Sequence, residues 1–374
     1  MMGANDKSMK IVMSEASTAK GGQELAIVRQ AMGLHKRGHD VLLLLHPDSS
    51  IEHLAKERGL RWISLPMLKL SLAGLVGFRN ALRKERPQIL HVNSSRDSWL
   101  GALAARLVRP RIRVVKSRHI SVPLNRNLPT RILYRHLFDH VIGTGDRTTY
   151  RNLVERDGLR PDRVDAFPIG IDLERHQPGP PERNLRTEMR LAPDHRLVGI
   201  VSYLRAYKGH RYLIEAAEQL IPRLTNTTFL IVGEGPDEAL IRSQIIKAGL
   251  SERVLMLGFR PDLLNVLRSL DVFVIPSVEG DTIPQVLIEA MAVGLPVIST
   301  TAGSIADVVI DRHTGLIVPP RDSGALAARI EELLHDAPLR RTLGTNAHHH
   351  VAQHYSIDRM LDRLEQVYRR VLDR

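Results

Sequence analysis

The chain has 374 residues, of which 43% are hydrophobic, a length that favours two domains of roughly 150 to 200 residues each. Cysteine is absent, which excludes disulfides, thiolate zinc sites and cysteine nucleophiles. No run reaches the ~20 apolar residues of a membrane-spanning helix and the first ten residues lack a signal-peptide core, so we expect a cytoplasmic protein.

The formal net charge is +12, and the excess is concentrated in one stretch. Between Arg79 and His136 there are fourteen Lys or Arg side chains against two acids. Such a surface suits anionic lipid at the inner membrane face, a phosphorylated acceptor or nucleic acid, and the alternative is a solvated basic face with no partner. Aromatic residues are only 4% and no zinc-finger or RNA-binding signature occurs, so nucleic acid ranks last.

The first half of the chain shows alternating strands and helices. Strands are predicted at residues 10–14, 41–45, 61–65, 89–93, 114–117, 140–143 and 164–167. Helices are predicted between them: the first ends at about residue 37, and the others cover 51–58, 75–83, 100–107 and 148–156. A Pro-rich and charged stretch at 173–182 is typical of a domain linker.

The alternation restarts after the linker. Strands are predicted at residues 197–202, 228–232, 254–257, 272–275 and 297–299, and helices at 212–221, 238–247, 263–269 and 286–291. From 323 onward the chain is predicted to be helical, with breaks at Pro338 and Gly344 and a last helix at 356–374. Two such runs predict two doubly wound parallel sheets facing one cleft, and ligands of such sheets bind at the carboxyl ends of the strands.

A polar loop after the strand at 272–275 carries Glu279 and Asp281, and the helix that follows carries Glu289. Asp281 and Glu289 are eight residues apart, roughly two helical turns, so the two acids can bracket an extended ligand from one side. The alternative is that Asp281 caps the helix and Glu289 is solvated.

This segment, with its acid, glycine-containing loop, Pro, Glu-Ala-Met-Ala and Gly-x-Pro-Val, resembles the nucleotide-sugar motif of the retaining glycosyltransferases of family four. The resemblance implies the GT-B fold: an α/β protein with two Rossmann-like domains facing a central cleft. It implies an acceptor-binding domain at 1–172, completed by the C-terminal helix 356–374, and a nucleotide-sugar domain at 173–355.

The family's acid pair implies that Glu289 contacts the donor ribose and that the first acid lies beside the donor sugar. We assign the first position to Asp281 because its spacing to Glu289 matches, although Asp replaces the usual Glu. Glu279 precedes Gly280 as the family's first Glu precedes its Gly, and it remains a donor-binding candidate. The backbone amides of Thr282 and Ile283 are expected to hold sugar hydroxyls.

Two cations are expected at the donor diphosphate. Lys208 and Gly209 match the family's Lys-Gly, but Tyr203 stands where the usual Arg lies, and Arg205 supplies the missing charge. Cations in a strand-to-helix loop suit a departing diphosphate. The alternative is that both are ordinary surface side chains.

The resemblance also implies that several glycines line the donor site. Gly21 and Gly22 follow the first strand, where backbone N–H groups can approach an anion, and in the family this pair lies against the diphosphate. Gly235 lines the donor in a tight turn, and the backbone at Gly258 and Phe259 meets the base.

Three strand-end side chains and one histidine are assigned to the acceptor side. Arg96, Asp97 and Arg118 follow buried strands and are candidates to bind an anionic acceptor. In the family a His at the position of His119 lies close to the transferred sugar, so His119 is a catalytic candidate, and the alternative is a satisfied structural histidine.

The family generally uses protein cations, so no metal and no cofactor are expected. His348, His349, His350 and His354 are close in sequence, but consecutive helical residues point about 100° apart and cannot all face one ion.

The predicted reaction is retaining transfer of a sugar from a nucleotide-diphosphate sugar to a hydroxyl of a saccharide or lipid-linked acceptor in cell-envelope synthesis. A covalent intermediate at Asp281 and attack from the leaving-group face both remain open. Two alternatives remain: a nucleotide-sugar 2-epimerase of the same fold, and a nonenzymatic nucleotide or membrane-surface binding protein.

Overall fold

The computed structural model describes residues 8–18, 22–119, 122–279 and 283–374. These residues form two compact units. The first runs to Gly170 and also contains Ile357–Arg374, whereas the second is Ile171–Ser356. The chain therefore leaves the first unit two residues before the predicted division at 172 and returns to it for its last helix.

A parallel sheet of seven strands forms the centre of the first unit. Its strands are β1 (Lys10–Glu15), β2 (Asp40–Leu45), β3 (Arg61–Ser64), β4 (Ile89–Val92), β5 (Arg113–Arg118), β6 (His140–Thr144) and β7 (Val164–Phe167). They lie in the order β3-β2-β1-β4-β5-β6-β7. Buried apolar residues lie on both faces of the sheet, as expected where helices cover both sides.

Helices connect these strands. They are α1 (Gly22–Lys36), α2 (Ser50–Glu57), α3 (Leu72–Glu85), α4 (Ser95–Arg106), α5 (Leu128–Ile132) and α6 (Arg147–Arg151). Wider π-helical turns at Leu133–Leu137 and Asn152–Arg156 continue α5 and α6. Side-chain caps begin several of the helices, as where Ser71 accepts a hydrogen bond from the Gly74 amide.

The second unit contains a parallel sheet of six strands. They are β8 (Arg196–Val201), β9 (Thr227–Val232), β10 (Val254–Gly258), β11 (Val272–Ile275), β12 (Val297–Thr300) and β13 (Leu316–Val318). Their order is β10-β9-β8-β11-β12-β13. Strand β13 was not predicted, because three residues are too few to show a periodic pattern.

The remaining helices are α7 (Leu185–Glu188), α8 (His210–Leu220), α9 (Glu238–Lys247), α10 (Leu263–Ser269), α11 (Gln285–Ala292), α12 (Ser323–His335), α13 (Ala337–His354) and α14 (Ile357–Leu372). The predicted break at Gly344 is wrong, because α13 runs through it. A Cβ at Gly344 would lie 2.1 Å from the Gly294 carbonyl oxygen, so glycine here permits close packing rather than ending the helix. None of the described helices has both the length and the apolar composition needed to span a bilayer.

The predicted α/β class and the two doubly wound sheets are confirmed. The strand order reverses between β1 and β4 in the first sheet and between β8 and β11 in the second. At such a point the connecting helices go to opposite faces and leave a crevice at the carboxyl ends of the strands. Each unit therefore has one predicted ligand-binding edge.

Candidate active site

At the crevice of the second unit, the loops that follow β8 and β11 touch each other. The Val278 amide donates a hydrogen bond to the Tyr207 carbonyl at 2.8 Å. Gly209 has a φ of +76°, and a Cβ there would lie 1.9 Å from the Pro276 carbonyl oxygen, so only glycine fits. Lys208 is thereby fixed beside the loop that leads into α11.

The two predicted diphosphate cations lie in this loop, each against a tyrosine. The Lys208 ammonium is 5.1 Å from the centroid of the Tyr207 ring, and Lys208 is 8% exposed. The Arg205 guanidinium carbon is 5.6 Å from the centroid of the exposed Tyr203 ring. Tyr203, which replaces the family's Arg, therefore supports Arg205 through a cation–π contact.

The neighbouring strand-end loops continue this edge. Leu204 donates its amide hydrogen to the Glu234 carbonyl at 2.9 Å, and a Cβ at Gly235 would lie 2.4 Å from the Leu204 carbonyl oxygen. The Gly233 amide donates to the Gly258 carbonyl at 2.8 Å. Gly235 and Gly258 thus lie on the same edge as Lys208, and Phe259, next to Gly258, is 57% exposed.

The second predicted acid, Glu289, lies on α11 and is 7% exposed. Its carboxylate Oε1 is 3.9 Å from Nε2 of His176, whose Nδ1 lies 2.7 Å from the Asp172 carbonyl. His176 was not predicted as part of the site. The only sequence signal was a histidine directly after the charged residues that follow Asp172.

The loop between β11 and α11 is described in part. Glu279 is exposed and pairs with Arg321 at 3.5 Å, and the Ile283 side chain is buried in the apolar core. Only the backbone of Ile283 is therefore left to meet a donor. Asp281 and Thr282 lie outside the described residues, as does Gly21, while Gly22 is the first residue of α1.

In the first unit, His119 lies directly after β5 and is held through both ring nitrogens. Its Nδ1 is 2.7 Å from the Thr144 hydroxyl, and its Nε2 is 3.5 Å from Asn93 Oδ1. The Asn93 amide nitrogen donates to the Ser14 carbonyl at 3.1 Å, which orients Oδ1 toward the imidazole. Burial and the Lys116 ammonium lower the pKa of His119 to about 3, so the ring is neutral at physiological pH.

The prediction that Asp97 contacts an acceptor is corrected by the structure. Asp97 is fully buried, and its carboxylate accepts hydrogen bonds from the Ser14 hydroxyl at 2.6 Å, the Ser94 hydroxyl at 2.8 Å and the Asn93 amide at 3.1 Å. Burial raises the pKa of Asp97, against the opposing effect of Lys116 and these hydrogen bonds. Asp97 thus joins β1 to the start of α4 instead of facing a ligand.

The two predicted acceptor arginines differ in exposure. Arg96 is exposed in the first turn of α4. Arg118 is 8% exposed, and its guanidinium donates to the Tyr134 hydroxyl at 3.4 Å and to the Val122 carbonyl. Arg118 therefore connects the end of β5 to Val122 and Tyr134, and Arg96 is the more accessible of the pair.

Two protein-family profiles together cover most of the chain. Residues 20–175 match the profile described as Glycosyltransferase Family 4, and residues 182–350 match the profile described as Glycosyl transferases group 1. The chain belongs to the group 1 glycosyltransferases of family 4. The suspected family is thereby confirmed.

Curated relatives of this glycosyltransferase differ in how much they share with it. It is 34% identical over 211 residues to the D-inositol 3-phosphate glycosyltransferase of Nocardia farcinica, a match that spans 54% of this chain and 46% of that protein. It is 26% identical over 315 residues to the lipopolysaccharide core biosynthesis mannosyltransferase LpcC of Rhizobium leguminosarum, covering 81% and 84% of the two chains.

A solved structure supports the GT-B fold of this glycosyltransferase. HepE of Anabaena, crystallised in complex with UDP-glucose, aligns with a TM-score of 0.82 at 22% identity, covering 96% of this chain and 98% of that one. At this identity the likeness concerns the fold alone.

Sequence reasoning also missed Lys116 of the glycosyltransferase. This lysine is 4% exposed in β5, and its ammonium donates to the Asn93 carbonyl at 2.7 Å and the Ser94 carbonyl at 3.0 Å. Burial lowers the pKa of Lys116 to about 8. A lysine directly after the apolar pair Val114 and Val115 of a predicted strand was the available signal.

Metal-ligating side chains do not cluster in the part of the glycosyltransferase that the structure describes: no three His, Asp or Glu side chains there could hold one ion. In the C-terminal histidine group, the rings of His350 and His354 lie against each other with centroids 4.8 Å apart.

Proposed function

We propose that this glycosyltransferase moves a sugar from a nucleotide-diphosphate sugar to an acceptor hydroxyl with retention of the anomeric configuration, and that it needs neither metal nor cofactor. The observation that carries the proposal is the direct contact between the Lys208 loop and the loop that leads to Glu289. This contact puts a fixed cation and a nearly buried carboxylate along one crevice, which suits a diphosphate attached to a ribose.

Breaking the anomeric bond leaves negative charge on the diphosphate and positive charge on the sugar. Lys208 and Arg205 would stabilise the departing diphosphate, together with amides at the start of α1 near Gly22. Glu289 would accept hydrogen bonds from the ribose hydroxyls, and His176 is placed to orient its carboxylate. Asp281 and the amides of Thr282 and Ile283 would hold the sugar.

On the acceptor side, His119 is the proposed catalytic histidine. Its neutral ring is held by Thr144 and Asn93, so it can position a sugar or an acceptor hydroxyl without adding a charge to the site. Arg96 remains the proposed contact for an anionic acceptor.

The acceptor is proposed to be a cell-envelope saccharide or glycolipid, reached at the cytoplasmic face of the membrane. The name of the relative LpcC, a mannosyltransferase of lipopolysaccharide core biosynthesis, supports this class of acceptor. The complex of HepE with UDP-glucose supports a nucleotide-sugar donor.

Activity assays on two variants test this function. Glu289→Ala is expected to lower kcat/KM for the donor at least about tenfold, because a charge-assisted hydrogen bond is worth roughly 1.5–3 kcal/mol. The matched control is Glu238→Ala, which removes an exposed acid of the same unit that pairs with Arg242. Transfer at the wild-type rate by Glu289→Ala would contradict the proposal.

The anomeric configuration of the product, read by NMR, tests retention separately. A product formed from the donor alone, with no acceptor added, would instead favour the epimerase of the same fold. Donor binding without any turnover would favour a nonenzymatic binding protein.

A further inference from the structure

A cavity of about 260 Å³ lies in the first unit, between the helical segment that begins with α5 and the turn that follows Asn152–Arg156. Four arginines and a single acid are among its lining residues: Arg126, Arg131, Arg135, Arg156 and Asp157. The volume is below the roughly 300–1,000 Å³ of sites for whole drug-sized ligands, so it suits one charged group of a larger molecule.

Asp157, the only acid among the described lining residues, is already neutralised. Arg156 donates to both carboxylate oxygens of Asp157, at 3.0 and 3.1 Å. Arg126, Arg131 and Arg135 are exposed, and their guanidinium groups make no hydrogen bond or ion pair with any residue that the structure describes. Three positive charges around the cavity are thus left without a counterion among the described residues.

A second cavity of about 490 Å³ adjoins the first and provides an internal comparison. Arg135 lines both cavities, and the other four arginines of the second cavity have partners within the protein. Arg111 pairs with Asp139 at 2.6 Å, Arg160 pairs with Asp162 at 2.8 Å, and Arg106 donates to the His136 carbonyl at 2.6 Å. The unpaired arginines of the smaller cavity are therefore not a general consequence of the basic composition.

Tyr134 connects the smaller cavity to the catalytic edge of the unit. It lines the cavity, and its hydroxyl accepts a hydrogen bond from Arg118, the residue directly before His119. The hydroxyl hydrogen of Tyr134 has no acceptor among the described residues, so it can be donated to a ligand.

We propose that this cavity binds a phosphate group of the acceptor substrate through Arg126, Arg131 and Arg135, with Tyr134 as an additional donor. Guanidinium forks match the oxygens of a phosphate, and a phosphate ester carries roughly −1.5 to −2 charge at pH 7, which suits three uncompensated cations. The assignment of this phosphate to the acceptor substrate rests on the proposed function, whereas phosphate binding at the cavity does not depend on it.

Calorimetric titration of the full chain with inorganic phosphate tests the site. Arg131→Gln/Arg135→Gln is expected to weaken phosphate binding at least about tenfold, because the variant loses the charge-assisted hydrogen bonds from two guanidinium groups to the phosphate. The control is Arg83→Gln/Lys84→Gln, which removes two exposed cations from the last turn of α3, and it is expected to bind within about twofold of wild type. Arg126→Gln is the second variant, and tryptophan fluorescence checks that each protein is folded.

Equal phosphate affinity in wild type and Arg131→Gln/Arg135→Gln would overturn the proposal, as would equal losses in that variant and the control. Co-sedimentation with phosphatidylglycerol and phosphatidylcholine vesicles identifies the source of the phosphate. Loss of phosphatidylglycerol binding together with phosphate binding indicates a lipid headgroup, and loss of phosphate binding alone indicates a soluble saccharide phosphate. Failure of the proposed function would show instead as absent nucleotide-sugar binding by the wild-type protein.

Discussion

The imidazole of His119 has a fixed orientation because both of its nitrogens are held. Asn93 Oδ1 is an acceptor, so the tautomer with hydrogen on Nε2 satisfies Asn93, while Nδ1 accepts from the Thr144 hydroxyl. A neutral, oriented ring beside the strand end is what positioning of a sugar or an acceptor hydroxyl requires.

Removing the ring or its support should therefore slow transfer. His119→Ala is expected to lower kcat about 100-fold, the scale of misplacing reacting groups by about 1 Å. Thr144→Val should lower it by a smaller factor, up to about tenfold, because only the orienting hydrogen bond is lost. Donor affinity should stay within about twofold in both, as measured by steady-state kinetics and calorimetry. The control is Thr342→Val, at an exposed position of α13, and a normal kcat for His119→Ala would contradict the assignment.

Buried histidines also give the stability of the protein a pH dependence. Burial lowers the pKa of His91 and of His119 to about 3, below the ordinary value near 6.5. Between these values the unfolded chain binds protons that the folded chain does not, so the free energy of unfolding falls as pH falls through this range. The two histidines lie in the first unit and together give its unfolding a slope of at most about 2.7 kcal/mol per pH unit, whereas His210, whose pKa burial lowers to about 4, lies in the second unit.

Urea unfolding between pH 6.5 and 5, followed by tryptophan fluorescence, measures this slope. His91→Gln is expected to lower it by up to about 1.4 kcal/mol per pH unit, since one of the two histidines is removed. The raised pKa of Asp97 acts in the opposite direction, but Asp97 is present in both proteins and does not alter the difference between their slopes. A slope that is unchanged in the variant would show that His91 titrates normally in the folded protein.

At the scale of the elements, the glycine between the 3₁₀ turn Ala206–Lys208 and α8 holds together the loops at the crevice edge of the second unit. Gly209 needs both a left-handed backbone and the absence of a Cβ, because the Pro276 carbonyl occupies that space. Gly249, after α9, has a similar φ of +71° but open space where a Cβ would lie. Alanine substitutions at these two glycines therefore separate the cost of a left-handed backbone from the cost of a crowded Cβ.

Gly249→Ala is expected to cost about 1 kcal/mol from the left-handed backbone alone. Gly209→Ala should cost roughly 1–3 kcal/mol more because of crowding, and it should also raise the donor KM by displacing Lys208. Urea unfolding followed by circular dichroism, with kinetics on both variants, measures these effects. Equal stability and equal KM in the two variants would contradict the account of the edge.

The terminal helix α14 completes the core of the first unit. Its buried face includes Met360, Leu361, Leu364 and Tyr368, and the Tyr368 hydroxyl is 2.7 Å from Nδ1 of the buried His91. Gly33 on α1 gives this face room, since a Cβ there would lie 2.4 Å from Leu361 Cδ1.

Leu364→Ala is expected to destabilise the first unit by about 2–5 kcal/mol, as for other large-to-small changes in a core. Both tryptophans, Trp62 and Trp99, lie in the first unit, so their fluorescence reports its unfolding selectively. The control Leu240→Ala changes an exposed leucine of the second unit and should leave the fluorescence transition in place. A transition unaffected by Leu364→Ala would show that α14 does not stabilise this unit.

For the molecule as a whole, the class of fold was predictable because both halves alternate apolar strands with amphipathic helices. Lys208, Gly209 and Glu289 could be singled out from the sequence because they belong to local patterns, and their role at a donor stays a prediction. Burial was harder to foresee: Asp97 was expected at the surface because its loop is polar, but three hydrogen-bond donors and Lys116 enclose it. His176 and Thr144 were missed because their partners are distant in sequence.

The arginines of the first unit differ in whether the fold gives them a partner. Some arginines of its basic stretch pair with acids or cap carbonyl groups, whereas Arg126, Arg131 and Arg135 at the smaller cavity have no such partner in the part of the chain that the structure describes. Net charge alone could not distinguish a solvated face from a phosphate site, since the distinction depends on which guanidinium groups the fold already engages.

The central claim is that the crevice edge of the second unit binds a nucleotide-diphosphate sugar through Lys208 and Glu289. The most direct test is calorimetric binding of the nucleotide sugar that most stabilises the wild-type protein in a thermal-shift screen, repeated with Lys208→Gln and Glu289→Gln. Each substitution is expected to weaken binding at least about tenfold. Donor affinity unchanged in both variants would contradict the account.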